Sequence, residues 1–143
     1  MKRTIAILMS LLIMTFAMTG CGSETSASDS VDVDLSTLST TMMYSEVSNM
    51  YSTPDDYIGK TVKMSGQFTV YDDGNGGYFT AVTIQDNTQC CSQGLEFRLK
   101  GDATYPDDYP KAESEITVVG TFETYEEGDA TYACLMDAEI ENE

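Results

Sequence analysis

From Lys60 onward the chain alternates. Val62, Met64, Gly66, Phe68 and Val70 are separated by Thr61, Lys63, Ser65, Gln67 and Thr69. A period of two places one set on each face of a pleated strand, so the stretch predicts a half-buried β-strand. The pattern then returns four times. Tyr78–Asp86 turns Val82 and Ile84 inward, and Leu95, Phe97 and Leu99 alternate with Glu96, Arg98 and Lys100. Ile116, Val118, Gly120 and Phe122 make a fourth row. Tyr132–Glu141 is the fifth, with Cys134, Met136, Ala138 and Ile140 expected on one side. Asp72-Asp73-Gly74-Asn75-Gly76-Gly77 supplies the residues of a tight turn between the first two rows, and Tyr125–Ala130 turns the chain before the last. Residues 101–114 hold two prolines and read as a loop.

Ahead of the strands the period changes. Met43, Val47, Met50 and Tyr51 fall at i, i+4, i+7 and i+8, which predicts a short helix over Thr40–Ser52 that Pro54 stops. Gly22 to about Ser39 is rich in Ser, Thr, Asp and Gly and carries too little apolar surface to offset the entropy of ordering. Earlier still, Lys2 and Arg3 precede an apolar run, Ile5–Ala17, too short to span a bilayer, and Met18-Thr19-Gly20-Cys21 follows. That is the layout of an export signal ending at a bacterial lipobox. It predicts a signal over residues 1–20, diacylglycerol on the Cys21 thiol, a flexible tether over residues 21–39 and one domain over residues 40–143. The domain is then held to the cell membrane, on its extracytoplasmic side, through the lipid on Cys21.

Two of the rows echo each other. Val62-x-Met64-x-Gly66-x-Phe68 matches Ile116-x-Val118-x-Gly120-x-Phe122, and each follows a Pro-Asp-Asp-Tyr, at 54–57 and 106–109. A glycine inside a strand marks a bend or a close backbone approach, because it has no side chain to pack. Five short strands with bending glycines in the first and fourth predict an all-β fold: a small five-stranded β-barrel, OB-fold-like, with a short N-terminal helix.

Charge narrows the partners. The whole chain has 7 Lys and Arg against 24 Asp and Glu, net −17. Removing the leader takes Lys2 and Arg3, leaving five against 24, net −19. Phosphate binding needs a basic surface, so nucleic acid is excluded as a partner. The absence of His removes the commonest general base and the commonest metal ligand.

With Cys21 lipidated, Cys90, Cys91 and Cys134 remain, an odd number for an exported chain. In an OB-fold the third and fifth strands are parallel neighbours, which predicts that the three thiols meet at one rim. Three states follow: a 90–134 or 91–134 disulfide contributing ~4 kcal/mol, a three-thiolate zinc site with Glu126, Glu127 or Asp129 as fourth ligand, or reduced buried thiols. The paired carboxylates Asp55/Asp56 and Asp107/Asp108 diverge in direction and suit helix starts better than acid–base work. Asp72–Gly77 lacks the closing Glu of a calcium loop and reads as a hairpin turn.

The string Tyr57-Ile58-Gly59-Lys60-Thr61-Val62-Lys63-Met64-x-Gly66 carries a further signal. So do Cys90-Cys91 ahead of Gly94-Leu95-Glu96-Phe97, Tyr109-Pro110, and Ile116-Thr117-Val118-x-Gly120-x-Phe122-x-x-Tyr125. Together these resemble a group of OB-fold lipoproteins of Firmicutes without assigned activity. They are more distantly similar to the exported domain of a permease-associated family that also has a Cys-Cys pair. The resemblance spans roughly residues 43–141; it implies fold and location, and brings no catalytic residue.

The sequence thus predicts a module that binds a protein or a glycan and converts nothing, with zinc or another soft metal at the cysteine rim as the alternative. OB-folds bind across their second and third strands and the adjoining loops. That expectation picks out Tyr78, Thr80, Glu96, Arg98 and Lys100, with Tyr71 and Tyr125 at the rims. The anchor is directly testable: Cys21→Ser is expected to move the protein from the membrane fraction to the medium, read by fractionation and lipid labelling. A variant that still sediments with membranes while unlabelled overturns it.

Overall fold

A computed structural model of the chain describes residues 30–86, 88 and 91–141. The strands are β1 (Val33–Asp34), β2 (Thr61–Asp72), β3 (Tyr78–Gln85), β4 (Ser92–Leu99), β5 (Glu115–Glu127) and β6 (Ala130–Glu141). One helix, α1 (Thr40–Ser52), and a 3-10 turn at Pro54–Asp56 lie between β1 and β2. The five strands expected from the alternation are present. The helix occupies its expected residues but is not N-terminal, since β1 comes before it.

The sheet runs β1-β2-β3-β4-β6-β5, and β5 pairs back onto β2, closing the five long strands into a ring. All the pairings in the ring are antiparallel except β4 with β6, which is parallel. Closure depends on β2 serving two partners. Thr61–Gln67 pairs with β5, and Gln67–Asp72 pairs with β3. The handover falls at Gly66, where a Cβ would sit 2.5 Å from the Thr83 carbonyl oxygen. Any side chain there would push β2 off β3.

The edge of β2 that β3 has left is not bare. Asp32 donates its N–H to the Thr61 carbonyl and Leu35 to that of Lys63, each at 2.8 Å, with Val33 and Asp34 in parallel register against Val62 and Lys63. Leu35 is 0% exposed and belongs to the core. The tether expected to run to Ser39 therefore gives way sooner, because Val33, Leu35 and Leu38 have a core to pack against and an open edge to lie along. Residues 1–29 lie outside the described residues, and with them Cys21 and the leader.

Inside the ring lie Val62, Met64, Phe68, Val82, Leu95 and Phe97, all buried, with Val118, Phe122 and Leu135. Each end has a plug. Met43, Val47 and Met50, the stripe of α1, close the end where β4 begins. Ser39 caps that helix, its hydroxyl accepting from the Met42 N–H. Tyr105 and Tyr109 of the 101–114 loop close the other, their rings 6.5 and 5.9 Å from Phe68.

β6 departs from simple alternation. Its pairing with β5 steps from Val119↔Glu139 to Thr121↔Met136, and that with β4 from Phe97↔Leu135 to Leu99↔Ala138. One extra residue sits in β6 on both sides, and Asp137 there has φ 49°. This β-bulge inverts the phase of the strand. Ala133 and Leu135 point inward before it, Ala138 and Ile140 after it, so Cys134 does not share a face with Ala138. Gly120 lies opposite the bulge, where a Cβ would come within 3.0 Å of Leu135 Cβ and 3.1 Å of Ala138 Cβ.

Two outcomes follow for stability. Gly120→Val is expected to cost ~1–3 kcal/mol through overpacking against β6, and Leu35→Ala ~2–5 kcal/mol through a cavity. Urea midpoints read both. An unchanged midpoint for Leu35→Ala would put β1 outside the cooperative unit.

Candidate functional site

The outer face of β3 and β4 carries Phe79, Ala81, Thr83, Gly94 and Glu96, the residues out of phase with the core. They floor a cleft of about 460 Å³. Its walls come from elsewhere: Tyr51 from the last turn of α1, Tyr71 and Asp73 from the β2–β3 hairpin, Tyr125, Glu127 and Tyr132 from the β5–β6 hairpin. Tyr51, Tyr71 and Tyr132 keep 47, 48 and 43% of their surface exposed, so half of the six large exposed apolar or aromatic side chains among the described residues converge on this one concavity. Such residues are ordinarily scattered singly over a protein surface; their convergence makes this cleft the candidate binding site.

Each wall is fixed by the fold. The Tyr51 hydroxyl donates to the Gly94 carbonyl at 2.8 Å, which holds the helix end against β4. Ser48 and the side-chain amide of Gln93 are hydrogen-bonded one turn earlier, at 3.1 Å. Gly94 needs its missing side chain: a Cβ would lie 2.2 Å from the Val82 carbonyl oxygen. In the β2–β3 hairpin, Asp73 Oδ1 accepts from the N–H groups of Asn75 and Gly77 at 2.7 and 2.8 Å, holding its carboxylate at the mouth of the cleft. Across the β5–β6 hairpin, Tyr125 and Tyr132 are register partners and their rings stack at 5.4 Å.

Glu96 is the hub. Its carboxylate accepts the Tyr125 hydroxyl and pairs with the Arg98 guanidinium at 3.1 Å, while Arg98 also lies over the Tyr125 ring, 4.6 Å from its centre. Cys134 is its register partner on β6. The Cys134 thiol is 0% exposed yet stands outside the core cluster, on the outer side of the ring beneath the cleft. Burial, reinforced by the negative charge of Glu96, pushes it up to about 12. Burial first and the hydrogen bond to Glu96 second raise Tyr125 far above the ordinary phenol range. Tyr51 is raised as well, by burial and then by Glu96. At neutral pH the Cys134 thiol therefore keeps its proton and is not activated as a thiolate.

The expected residues divide. Tyr71, Glu96 and Tyr125 line the cleft, and Arg98 touches two of its residues. Tyr78 lies in a neighbouring depression with its ring 5.0 Å from Tyr105. Thr80 is not a surface residue: it is buried and its hydroxyl donates to the Phe97 carbonyl at 2.6 Å. As an even-numbered residue of β3 it shares the inward phase of Val82 and Ile84. Lys100 points away and pairs with Glu139 at 3.6 Å.

The cysteine rim is corrected for the residues described. The register sets Cys134 beside Glu96, five residues along β4 from Cys91. At about 3.3 Å per residue that is roughly 16 Å, beyond any disulfide. Cys91 is exposed, its N–H directed to Asp86 Oδ1 at 3.3 Å. Glu126, Glu127 and Asp129 are exposed at the hairpin tip, away from the buried thiol. Among the described residues no three metal-ligating side chains gather. Cys90 lies outside the described residues.

Tyr51, Phe79, Gln93, Gly94 and Tyr132 were not picked out from the sequence. Phe79 had a signal, since it is out of phase with Val82; Tyr51 had none, because its spacing places it equally well on the stripe of the helix. Comparison of the chain with known protein families, with characterised proteins and with solved structures returned no match. What the geometry defines is a small all-β, OB-fold-like domain with an aromatic cleft on the outer face of β3 and β4.

The raised groups make stability depend on pH. The folded state binds the Cys134 proton more tightly than the unfolded chain, so its contribution is full below about 9 and is lost as pH rises toward 12. Urea midpoints are expected to fall over that window, and Cys134→Ala is expected to flatten the fall. A slope unaltered by that variant would place the thiol in contact with water.

Proposed function

We propose that this protein is a membrane-anchored extracytoplasmic lipoprotein whose domain binds a protein or glycan partner and converts nothing. The observation that carries the reading is the convergence of Tyr51, Tyr71, Tyr125 and Tyr132, from one helix and two hairpins, over the β3–β4 face. That is the face on which OB-folds take oligosaccharides and other extended ligands. The exposed rings of Tyr51, Tyr71 and Tyr132 offer stacking area at low entropic cost, Tyr125 backs Tyr132 from behind, and Ser92 adds a hydroxyl that can orient a ligand.

The chemistry of the cleft favours binding over turnover. The chain has no His. The Cys134 thiol holds its proton, and Glu96 is engaged by Arg98 and Tyr125. The lipobox at Met18–Cys21 and the resemblance to Firmicute OB-fold lipoproteins support the location. Tyr51 bonded to Gly94 braces the cleft from the side of α1.

The test is a titration of the isotopically labelled chain with a panel of oligosaccharides and short peptides, followed by NMR. A ligand is expected to shift the amides of Tyr71, Phe79, Gly94, Glu96 and Tyr132 together, and Tyr132→Ala is expected to weaken it at least ten-fold with the urea midpoint unchanged. Shifts mapping to another face, or turnover of any panel member, overturn the reading.

A further inference from the structure

The cleft also has a sign. Asp73, Glu96 and Glu127 line it and, among the described residues, no Lys or Arg does; Glu96 is paired with Arg98 at its edge, so Asp73 and Glu127 carry the sign. Asp73 and Glu127 stand on the two facing hairpins, at the mouth, next to Tyr71 and Tyr132. Aromatic faces are themselves negative, and a cation held over them is stabilised by the ring quadrupole. Rings and carboxylates therefore act in the same direction, and an anionic ligand is opposed by both.

The chain already seats one cation in this chemistry. Arg98 lies on the Tyr125 ring at 4.6 Å and pairs with Glu96 at 3.1 Å. The same ring stacks on Tyr132, which remains 43% exposed. Tyr132, Tyr71 and the carboxylates of Asp73 and Glu127 repeat the combination one step outward, with no cation of the chain among the cleft-lining residues. The net charge of −17, or −19 after the leader, steers a basic partner toward the surface from beyond contact range.

We propose that the cleft receives a Lys- or Arg-bearing extended segment of a partner protein, its cationic group seated between Tyr132, Tyr71, Asp73 and Glu127. This rests on the binding-module reading and chooses, within it, a basic peptide over a neutral glycan. The cleft of about 460 Å³ accommodates one long side chain with its flanking backbone across β3 and β4.

The experiment uses the full chain in neutral detergent and a fluorescent nine-residue Arg-Ser repeat peptide, with a Gln-Ser peptide of equal length and a neutral oligosaccharide panel alongside. The Arg peptide is expected to bind at least ten-fold more tightly than the Gln peptide. Asp73→Asn with Glu127→Gln is expected to weaken it ten-fold or more. Asp55→Asn with Asp56→Asn, the same change of charge on the 3-10 turn, is expected to change it less than two-fold. Tyr132→Leu is expected to lose several-fold and Tyr132→Phe to restore it, which bulk electrostatics would not produce. Should Asp73→Asn disturb the hairpin, Glu127→Gln alone carries the comparison. Equal losses from the two double variants, or no effect of Tyr132→Leu, overturn the proposal. Binding of a neutral oligosaccharide in the cleft without the Arg peptide overturns it and leaves the binding-module reading standing; binding of neither overturns both.

Discussion

The whole arrangement depends on one strand being shared. β2 gives its first half to β5 and its second half to β3, and the ring closes only because the backbone bends where it changes partner. Gly66 permits the bend by leaving room for the Thr83 carbonyl. Sharing has a cost, since the strand that leaves exposes an unpaired edge. β1 answers it with two residues of parallel pairing and one leucine driven into the core. The bend and the short strand are therefore a single solution to a single constraint.

The bulge at Asp137 governs how the ring relates to its surroundings. Without it, every second residue of β6 would face the core from end to end. With it, the first half turns Ala133 and Leu135 inward and sets Cys134 outside, beside Glu96, while the second half fills the interior again with Ala138. The thiol beneath the cleft is thus dry without being central. The proton of that thiol, that of Tyr125 and the Arg98 guanidinium are all organised by one carboxylate, Glu96, on the floor of the cleft.

The ring itself was legible in the alternation, because burying one face of a strand forces a period of two and the glycines at 66 and 120 announce close approach. The helix was legible for the same reason at a different period. β1 left only a faint trace: Val31, Val33 and Leu35 alternate with Asp32 and Asp34, but the run is short and set in a stretch rich in Ser, Thr and Asp that reads as tether. The place of Cys134 was not legible. Its position along β6 and its facing depend on a register and a bulge that only the packing of β4, β5 and β6 against one another decides. The cleft was half legible: Tyr71, Glu96 and Tyr125 emerged from the strand order, whereas Tyr51 and Tyr132 reach it from a helix end and a hairpin that no local pattern brings together.

The tips of the two hairpins at the mouth of the cleft, residues 73–77 and 128–129, lie beyond the strands that close the ring, whose last paired residues there are Asp72, Glu127 and Ala130. Loops so placed tolerate changes of length and sequence with little thermodynamic effect on the scaffold. The molecule thereby separates what must be conserved in shape from what is free to vary in taste. Exchanging residues at the two turns would recast the rim of the cleft while the paired strands beneath keep their register.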